Sequence, residues 1–133
     1  MTFRVIIAGG RKFSPQEEHY LWIERMLSNK TDIEFVSGEA LGADCMNWVM
    51  AQRTLEGYKG FPALWDRLDR EPCSVKIARD GSEYNALAGF NRNESMAEYA
   101  NALILFPGGN GSKDMLKRAF AHNLLIREWN GEN

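Results

Sequence analysis

Four glycine-containing turns follow apolar segments, and this arrangement constrains the fold more than any other feature of the sequence. The turns are Gly9-Gly10-Arg11 and residues 37–44, 88–93 and 107–112. Three of them lead directly into predicted helices. Strands that alternate with helices are typical of a mostly parallel sheet covered on both faces. We therefore predict an α/β fold with a doubly wound sheet of about five strands.

The predicted strands and helices alternate along the chain. The predicted strands are Phe3–Ala8, Ile33–Ser37, 60–65, 102–106 and 124–129, with a weak candidate at 74–78. The predicted helices are 14–28, 44–55, 88–99 and 112–123, with Ser14 and Ser112 as caps. Residues 66–87 are polar and irregular, which is typical of a functional or mobile loop insertion. The whole chain, 1–133, is predicted to be one domain.

Composition and net charge disfavour several classes of function. The chain has 133 residues, with 16 basic and 18 acidic side chains and a net charge of −2. No long basic stripe is present, so nucleic acid is an unexpected partner. The two cysteines form no CxxC pair, no zinc or EF-hand spacing occurs, and no metal is expected. No signal peptide or membrane-length apolar run begins the chain, so we expect a cytoplasmic protein.

The glycine turns predict a ligand site. In a doubly wound sheet they meet at the carboxyl edge of the strands, where ligands bind. Helix amino ends there suit phosphate, and glycine lets the backbone approach a ligand closely. The candidate binding residues are Gly9, Gly10, Arg11, Ser37, Gly38, Gly42, Asp44, Trp65, Arg92, Asn93, Gly108, Gly109, Gly111 and Ser112.

Several of these side chains have structural alternatives. Arg92 would clamp a phosphate, or pair at the surface with Glu94 or Asp114. Asp44 would bind a ribose hydroxyl, or be a cap or first-turn carboxylate of a helix. Trp65 would stack on a base, or lie in the core. Arg11 would face the site, or be a solvated charge.

Other residues complete the sequence-based interpretation. Tyr84 and Asn85 would close over a ligand or anchor a loop. Cys45 lies among apolar neighbours of a predicted helix, so we interpret it as a core residue. Residues 107–112 lack the Gly-Lys-Ser/Thr of a Walker A loop and the GxGxxG fingerprint. Kinase, ATPase and ordinary dehydrogenase functions are therefore disfavoured.

The combined motifs resemble a known superfamily. They are Gly9-Gly10-Arg11-x-Phe13, Ser37-Gly38-x-Ala40-x-Gly42-Ala43-Asp44, Pro62-Ala63-x-Trp65, Ala88-Gly89-x-x-Arg92-Asn93-x-x-Met96 and Phe106-x-Gly108-Gly109-x-Gly111-Ser112. Together they resemble the YspA/YpsA-related branch of the SLOG superfamily, which includes the LOG phosphoribohydrolases and the DprA/Smf core. The resemblance implies a Rossmann-like fold that binds a nucleotide or nucleotide-derived ligand, without a certain cofactor; magnesium stays open. It also implies a bacterial or phage protein that forms a homodimer or higher homo-oligomer.

One departure from the resemblance bears on catalysis. The LOG motif continues with threonine and, three residues later, glutamate, where this chain has Ser112 and Met115. Methionine cannot act as an acid, a base or a stabiliser of an oxocarbenium ion. Asp114 is adjacent but turned about 100° around the helix. The first hypothesis is thus a non-catalytic sensor or sequestering protein, in which Trp65 or Phe13 stacks on the base.

Two alternatives remain. One is a LOG-type nucleotide hydrolase acting on an N-glycosidic or phosphate bond; its catalytic residue is unknown, with Asp44, Asp114 and Glu39 as candidates. The other is a protein–protein interaction module that docks through residues 66–87.

Overall fold

The computed structural model describes residues 1–69 and 73–131. The strands are β1 (Phe3–Ala8), β2 (Ile33–Ser37), β3 (Gly57–Gly60), β4 (Val75–Ile77), β5 (Glu83–Asn85), β6 (Ala102–Leu105) and β7 (Leu125–Glu128). The helices are α1 (Glu17–Met26), α2 (Met46–Thr54), α3 (Ala88–Tyr99) and α4 (Asn110–Ala121), and a 3-10 helix over Gly42–Cys45 precedes α2. Within the described residues, no helix is long and apolar enough to cross a bilayer.

Five strands form one parallel sheet in the order β3-β2-β1-β6-β7. The chain therefore starts in the centre, builds outward on one side, and then returns to build outward on the other. This is the doubly wound arrangement, so the predicted fold class is confirmed. Strands β4 and β5 form a separate antiparallel hairpin.

The core has two halves, one on each face of the sheet. Val5 and Ile7 of β1 point into the half that α1 and α2 cover. Ile6 and Ala8 point into the half that α3 and α4 cover. Because side chains alternate along a strand, a run of apolar residues such as β1 can only be buried when both faces are covered.

A fully buried asparagine on α2 holds the end of β1. Pairing between β1 and β2 stops at Ile6 and Val36, so the next backbone groups lose their strand partner. The Asn47 side chain takes the place of the β2 backbone as their partner. Its Oδ1 accepts the Ile7 N–H at 3.0 Å, and its Nδ2 donates to the Ile7 carbonyl at 2.8 Å. The same Nδ2 also donates to the Asp44 carbonyl at 2.9 Å. Asn47 thereby fixes where β1 ends and the first glycine turn begins.

One strand prediction was wrong and one strand was missed. The third strand of the sheet is Gly57–Gly60, not residues 60–65, because pairing with β2 selects a glycine-rich segment of weak intrinsic preference. The weak candidate at 74–78 is real, but its partner β5 was missed. Residues 70–72 of the predicted insertion at 66–87 lie outside the described residues, and so do residues 132–133 of the predicted domain.

The helix starts also differ from the prediction. Helix α1 begins after Gln16, whose backbone N–H donates to His19 Nδ1 at 2.8 Å, so Ser14 is not its cap. Helix α4 begins after Gly109, which places Ser112 inside the first turn. Residues 42–45 form a 3-10 turn before α2. Cys45 is exposed there, so its interpretation as a core residue was wrong.

Candidate functional site

The site is built where the strand order reverses, between β1 and β6. The turns after these strands are joined by their backbones, since the Gly10 N–H donates to the Pro107 carbonyl at 2.8 Å. A Cβ on Gly108 would lie 2.5 Å from the Gly10 nitrogen and would also strike Ser112 Oγ. Only glycine allows this approach, and the pair of turns forms the floor of a cleft at the carboxyl edge of the sheet.

This switch-point cleft has a volume of ≈ 390 Å³. The predicted residues that line it are Gly9, Gly10, Arg11, Asp44, Trp65, Arg92, Asn93, Gly109, Gly111 and Ser112. The volume lies within the range of about 300–1,000 Å³ that is usual for small-ligand sites. The structure thus brings residues from four separate turns to one cavity.

Four predicted binding residues do not line the cleft: Ser37, Gly38, Gly42 and Gly108. They support its walls instead. The hydroxyl of Ser37 accepts the Glu39 N–H at 2.9 Å. Gly42 has a φ of +80° and packs against the backbone of Gly10 and Arg11, which excludes a side chain there.

Arg92 lies on the second turn of α3 and enters the cleft half-buried. Its Nη1 donates to the Gly38 carbonyl, and its Nε donates to Asn93 Oδ1 at 3.0 Å. No carboxylate among the described residues lies within 4.0 Å of its guanidinium; the nearby acidic residues Glu94 and Asp114 pair with Arg118 instead. The surface ion-pair alternative is therefore wrong, and burial lowers the pKa of Arg92.

Asp44 contributes a buried carboxylate to the same cleft. It is only 7% exposed, and its Oδ2 accepts the Ala40 N–H at 3.4 Å. Asp44 is not a side-chain cap, but it lies in the first turn of the 3-10 helix, so the first-turn part of the structural alternative is confirmed. Burial raises the pKa of Asp44, while the nearby Arg92 and Arg11 oppose that rise.

The other two catalytic candidates, Asp114 and Glu39, already make hydrogen bonds to neighbouring side chains. Asp114 Oδ2 accepts Asn93 Nδ2 at 3.0 Å and Arg118 Nε at 2.8 Å. Glu39 Oε2 accepts the Tyr58 hydroxyl at 2.9 Å. Neither carboxylate lines the cleft, which leaves Asp44 as the candidate that does.

Trp65 forms part of the cleft mouth and is 39% exposed, so it is not a core residue. Its carbonyl accepts the Asn85 N–H at 2.6 Å, which ties it to the β4–β5 hairpin. Asn85 Oδ1 accepts the N–H groups of Ser74 and Leu87, so Asn85 is a loop anchor. Phe13 packs its ring 5.0 Å from that of Phe106, outside the cleft.

The amino end of α4 closes one side of the cleft. Gly109, Asn110, Gly111 and Ser112 all line it. The first turn of an α-helix leaves N–H groups without intrahelical acceptors, and the helix dipole adds partial positive charge there. Helix α4 has 12 residues, long enough for this effect.

Sequence reasoning missed seven lining residues. They are Ala8, Ala40, Gly89, Phe90, Met96, Asn110 and Met115. Gly89, Phe90 and Met96 lie within or beside the motif that contains Arg92, and that proximity was the available signal. Met115 occupies the cleft at the position where the LOG motif has glutamate.

A cluster of possible metal ligands lies elsewhere. Ligand atoms of Glu94, Glu98 and His122 are within 4.8 Å of one another. Glu94 already pairs with Arg118 at 3.1 Å and with His122 at 2.8 Å. Two members of the cluster, Glu94 and His122, are therefore already engaged with each other, and Glu94 also with Arg118.

Comparisons with known proteins define the class of fold. Neither the protein-family models nor the curated proteins gave a match. The structure is similar to the X-ray structure of DNA processing protein A (DprA) from Streptococcus pneumoniae, with a TM-score of 0.69 and 16% sequence identity. The match covers 98% of this chain and 51% of that one, so the chain spans about half the length of its neighbour. The chain is thus a single-domain, Rossmann-like α/β protein with the fold found in DprA.

Proposed function

We propose that the switch-point cleft binds a nucleotide or a nucleotide-derived ligand through its phosphate. One observation carries this proposal: the amino end of α4 and the guanidinium of Arg92 line the same cavity. Each is a favourable environment for an anion, and the two approach from different elements. Among the described residues no carboxylate lies within 4.0 Å of the Arg92 guanidinium, so a ligand phosphate would provide a close counter-charge.

The charges and walls of the cleft support a nucleotide over a bare anion. Arg11 and Arg92 outnumber the single carboxylate of Asp44, so the cleft favours negative charge when all three are ionised. Trp65 offers a partly exposed indole at the mouth, where a base would stack. Asp44 would accept a hydrogen bond from a ribose hydroxyl.

The proposal includes membership of the SLOG superfamily, in its YspA/YpsA-related branch, and a non-catalytic role as a sensor or sequestering protein. The shared fold with DprA and the cleft position of Met115 support it. A cytoplasmic location, a bacterial or phage origin and a homo-oligomeric state are part of the same proposal, on the resemblance of the motifs.

Isothermal titration calorimetry with AMP, GMP, CMP and UMP tests the proposal. We expect at least one to bind, and Arg92→Ala to weaken it about tenfold to hundredfold, because a charged hydrogen bond contributes about 1.5–3 kcal/mol. Arg127→Ala is the matched control, since Arg127 is exposed on β7 outside the cleft. The proposal fails if no nucleotide binds, or if both variants bind as the wild type does.

Nucleic acid is the second candidate ligand, because the structural neighbour is named a DNA processing protein. Our expectation that nucleic acid is an unlikely partner rests on charge alone, and the comparison makes it doubtful. A single-stranded oligothymidylate discriminates the two. Binding that is tighter than that of any mononucleotide and falls steeply with salt would favour nucleic acid.

Hydrolysis is the third candidate, because Asp44 lies in the cleft. Incubation of the bound nucleotide with wild type and with Asp44→Asn, followed by product analysis, tests it. We expect the nucleotide to be recovered unchanged from both. Turnover by the wild type that Asp44→Asn abolishes without loss of binding would establish an enzyme instead.

A further inference from the structure

A second cleft lies beside the first, and the proposed function does not use it. Its volume is ≈ 520 Å³, larger than that of the switch-point cleft. One wall comes from Phe61, Pro62 and Leu64, in the segment that leads from β3 to Trp65. The other wall comes from α3. The two clefts are therefore neighbours along the same loop, since Leu64 lines one and Trp65 lines the other.

Helix α3 lies between the two clefts, and two adjacent faces of this helix line one cleft each. Its residues in the second cleft are Ala88, Asn91, Arg92, Glu94 and Ser95, spaced as one helical face. Gly89, Asn93 and Met96 belong to the face that lines the switch-point cleft. Arg92 lines both. An anionic group held by Arg92 would therefore have a cavity on each side.

The lining of the second cleft is mixed in polarity. Apolar surface from Phe61, Pro62 and Leu64 faces hydroxyl and amide groups on α3. The charged lining residues are Lys59, Arg92, Arg118 and one carboxylate, Glu94, so positive charge is in excess. Arg118 is already paired with Asp114 and Glu94, whereas Lys59 Nζ lies 5.6 Å from the centre of the Phe61 ring. Small-ligand sites typically combine an apolar wall with a few polar groups, and a nucleoside has one flat apolar ring and several hydroxyls.

We propose that the two clefts form one bipartite site for a dinucleotide, that is, two nucleosides joined by a phosphate bridge. The bridge lies at Arg92, one nucleoside occupies the switch-point cleft, and the other occupies the second cleft. This inference rests on the proposed function, because it needs Arg92 to bind phosphate. It adds the ligand class: a molecule larger than a mononucleotide, with a base at each end.

Paired ligands and a cleft-filling substitution test the inference. Titrations compare AMP with diadenosine diphosphate and GMP with diguanosine diphosphate. Ser95→Trp places an indole in the second cleft at an exposed position, where the fold tolerates it. Ser28→Trp is the matched control, since Ser28 is exposed after α1 and lies outside both clefts.

We expect one of the dinucleotides to bind the wild type at least about tenfold more tightly than its mononucleotide. Ser95→Trp should remove this advantage and leave mononucleotide affinity within about twofold, while Ser28→Trp changes neither. Equal affinity for the two ligands, or an advantage that survives Ser95→Trp, overturns the bipartite site and leaves the proposed function standing. If none of these four ligands binds, and neither CMP nor UMP binds, then both the bipartite site and the proposed nucleotide binding are overturned.

Discussion

Replacement of Asn47 by alanine should destabilise the protein and loosen the cleft. The Asn47 side chain is fully buried and makes three hydrogen bonds, two of them to the backbone of Ile7. No strand replaces them, because β1 has separated from β2 at this point. Asn47→Ala leaves the Ile7 N–H and carbonyl buried without these partners.

The magnitude follows from those two backbone groups. A buried polar group that loses its partner costs about 1–3 kcal/mol, so the pair should lower the free energy of unfolding by about 2–6 kcal/mol. For a chain of this size the midpoint of thermal unfolding should fall by roughly 10 °C. Urea denaturation followed by circular dichroism measures the free energy, with an unchanged m-value as the sign that the two end states are the same.

Asn29→Ala is the control, because Asn29 is exposed after α1. It should change the free energy of unfolding by less than about 0.5 kcal/mol. If Asn47→Ala were as stable as this control, the hydrogen bonds to Ile7 would not be what ends β1, and our account of the first glycine turn would be refuted.

Three further predictions address the cleft itself. Trp65→Ala should weaken nucleotide binding severalfold, whereas Trp48→Ala, at an exposed indole on α2, should not; equal affinities in a titration would remove Trp65 from the site. Burial raises the pKa of Asp44, so the folded state binds the carboxyl proton more tightly than the unfolded state does. The protonated carboxyl therefore contributes stability below the ordinary aspartate pKa of about 3.9. That contribution is lost as the pH rises through the pKa of the folded state. Asp44→Asn should therefore raise the free energy of unfolding at pH 7 but not at pH 3, and an unchanged or lowered value at pH 7 would contradict the burial argument. Gly111→Ala should stabilise α4 by about 0.5–1 kcal/mol yet weaken ligand binding, whereas Gly108→Ala should destabilise the fold through its clash with Gly10; thermal melts and titrations of the two variants decide this.

The sequence was most informative where one physical signal dominated. Phe3–Ala8 and residues 102–106 are apolar and rich in branched side chains, and both are central strands. Strand β3 gave no such signal, because Gly-Tyr-Lys-Gly has little preference of its own and is a strand only through pairing with β2. The start of α1 was misplaced because Ser14-Pro15 matched a capping pattern that Gln16 and His19 satisfy in the structure.

Part of the site could be predicted because residue types at the ends of strands carry a local signal. Glycine, arginine and aspartate at the ends of strands signal a ligand edge, and Gly9, Asp44 and Arg92 do line the cleft. Gly42 and Gly108 carry the same local signal, yet they serve contacts between turns that are distant in sequence. Such long-range contacts are not visible in local patterns. Met96 and Met115 lay in or beside the motifs, but they were not predicted to bind because methionine is typical of a core residue.

In the proposed function, phosphate binds where the turn after β1 meets the amino end of α4. Amide NMR spectra of isotope-labelled protein, recorded during titration with the tightest-binding nucleotide, test it most directly. We expect the largest shifts to fall together on the amides of Gly9, Gly10, Gly111 and Ser112, and Arg92→Ala to remove them. Shifts that cluster elsewhere, or that persist in Arg92→Ala, would contradict it.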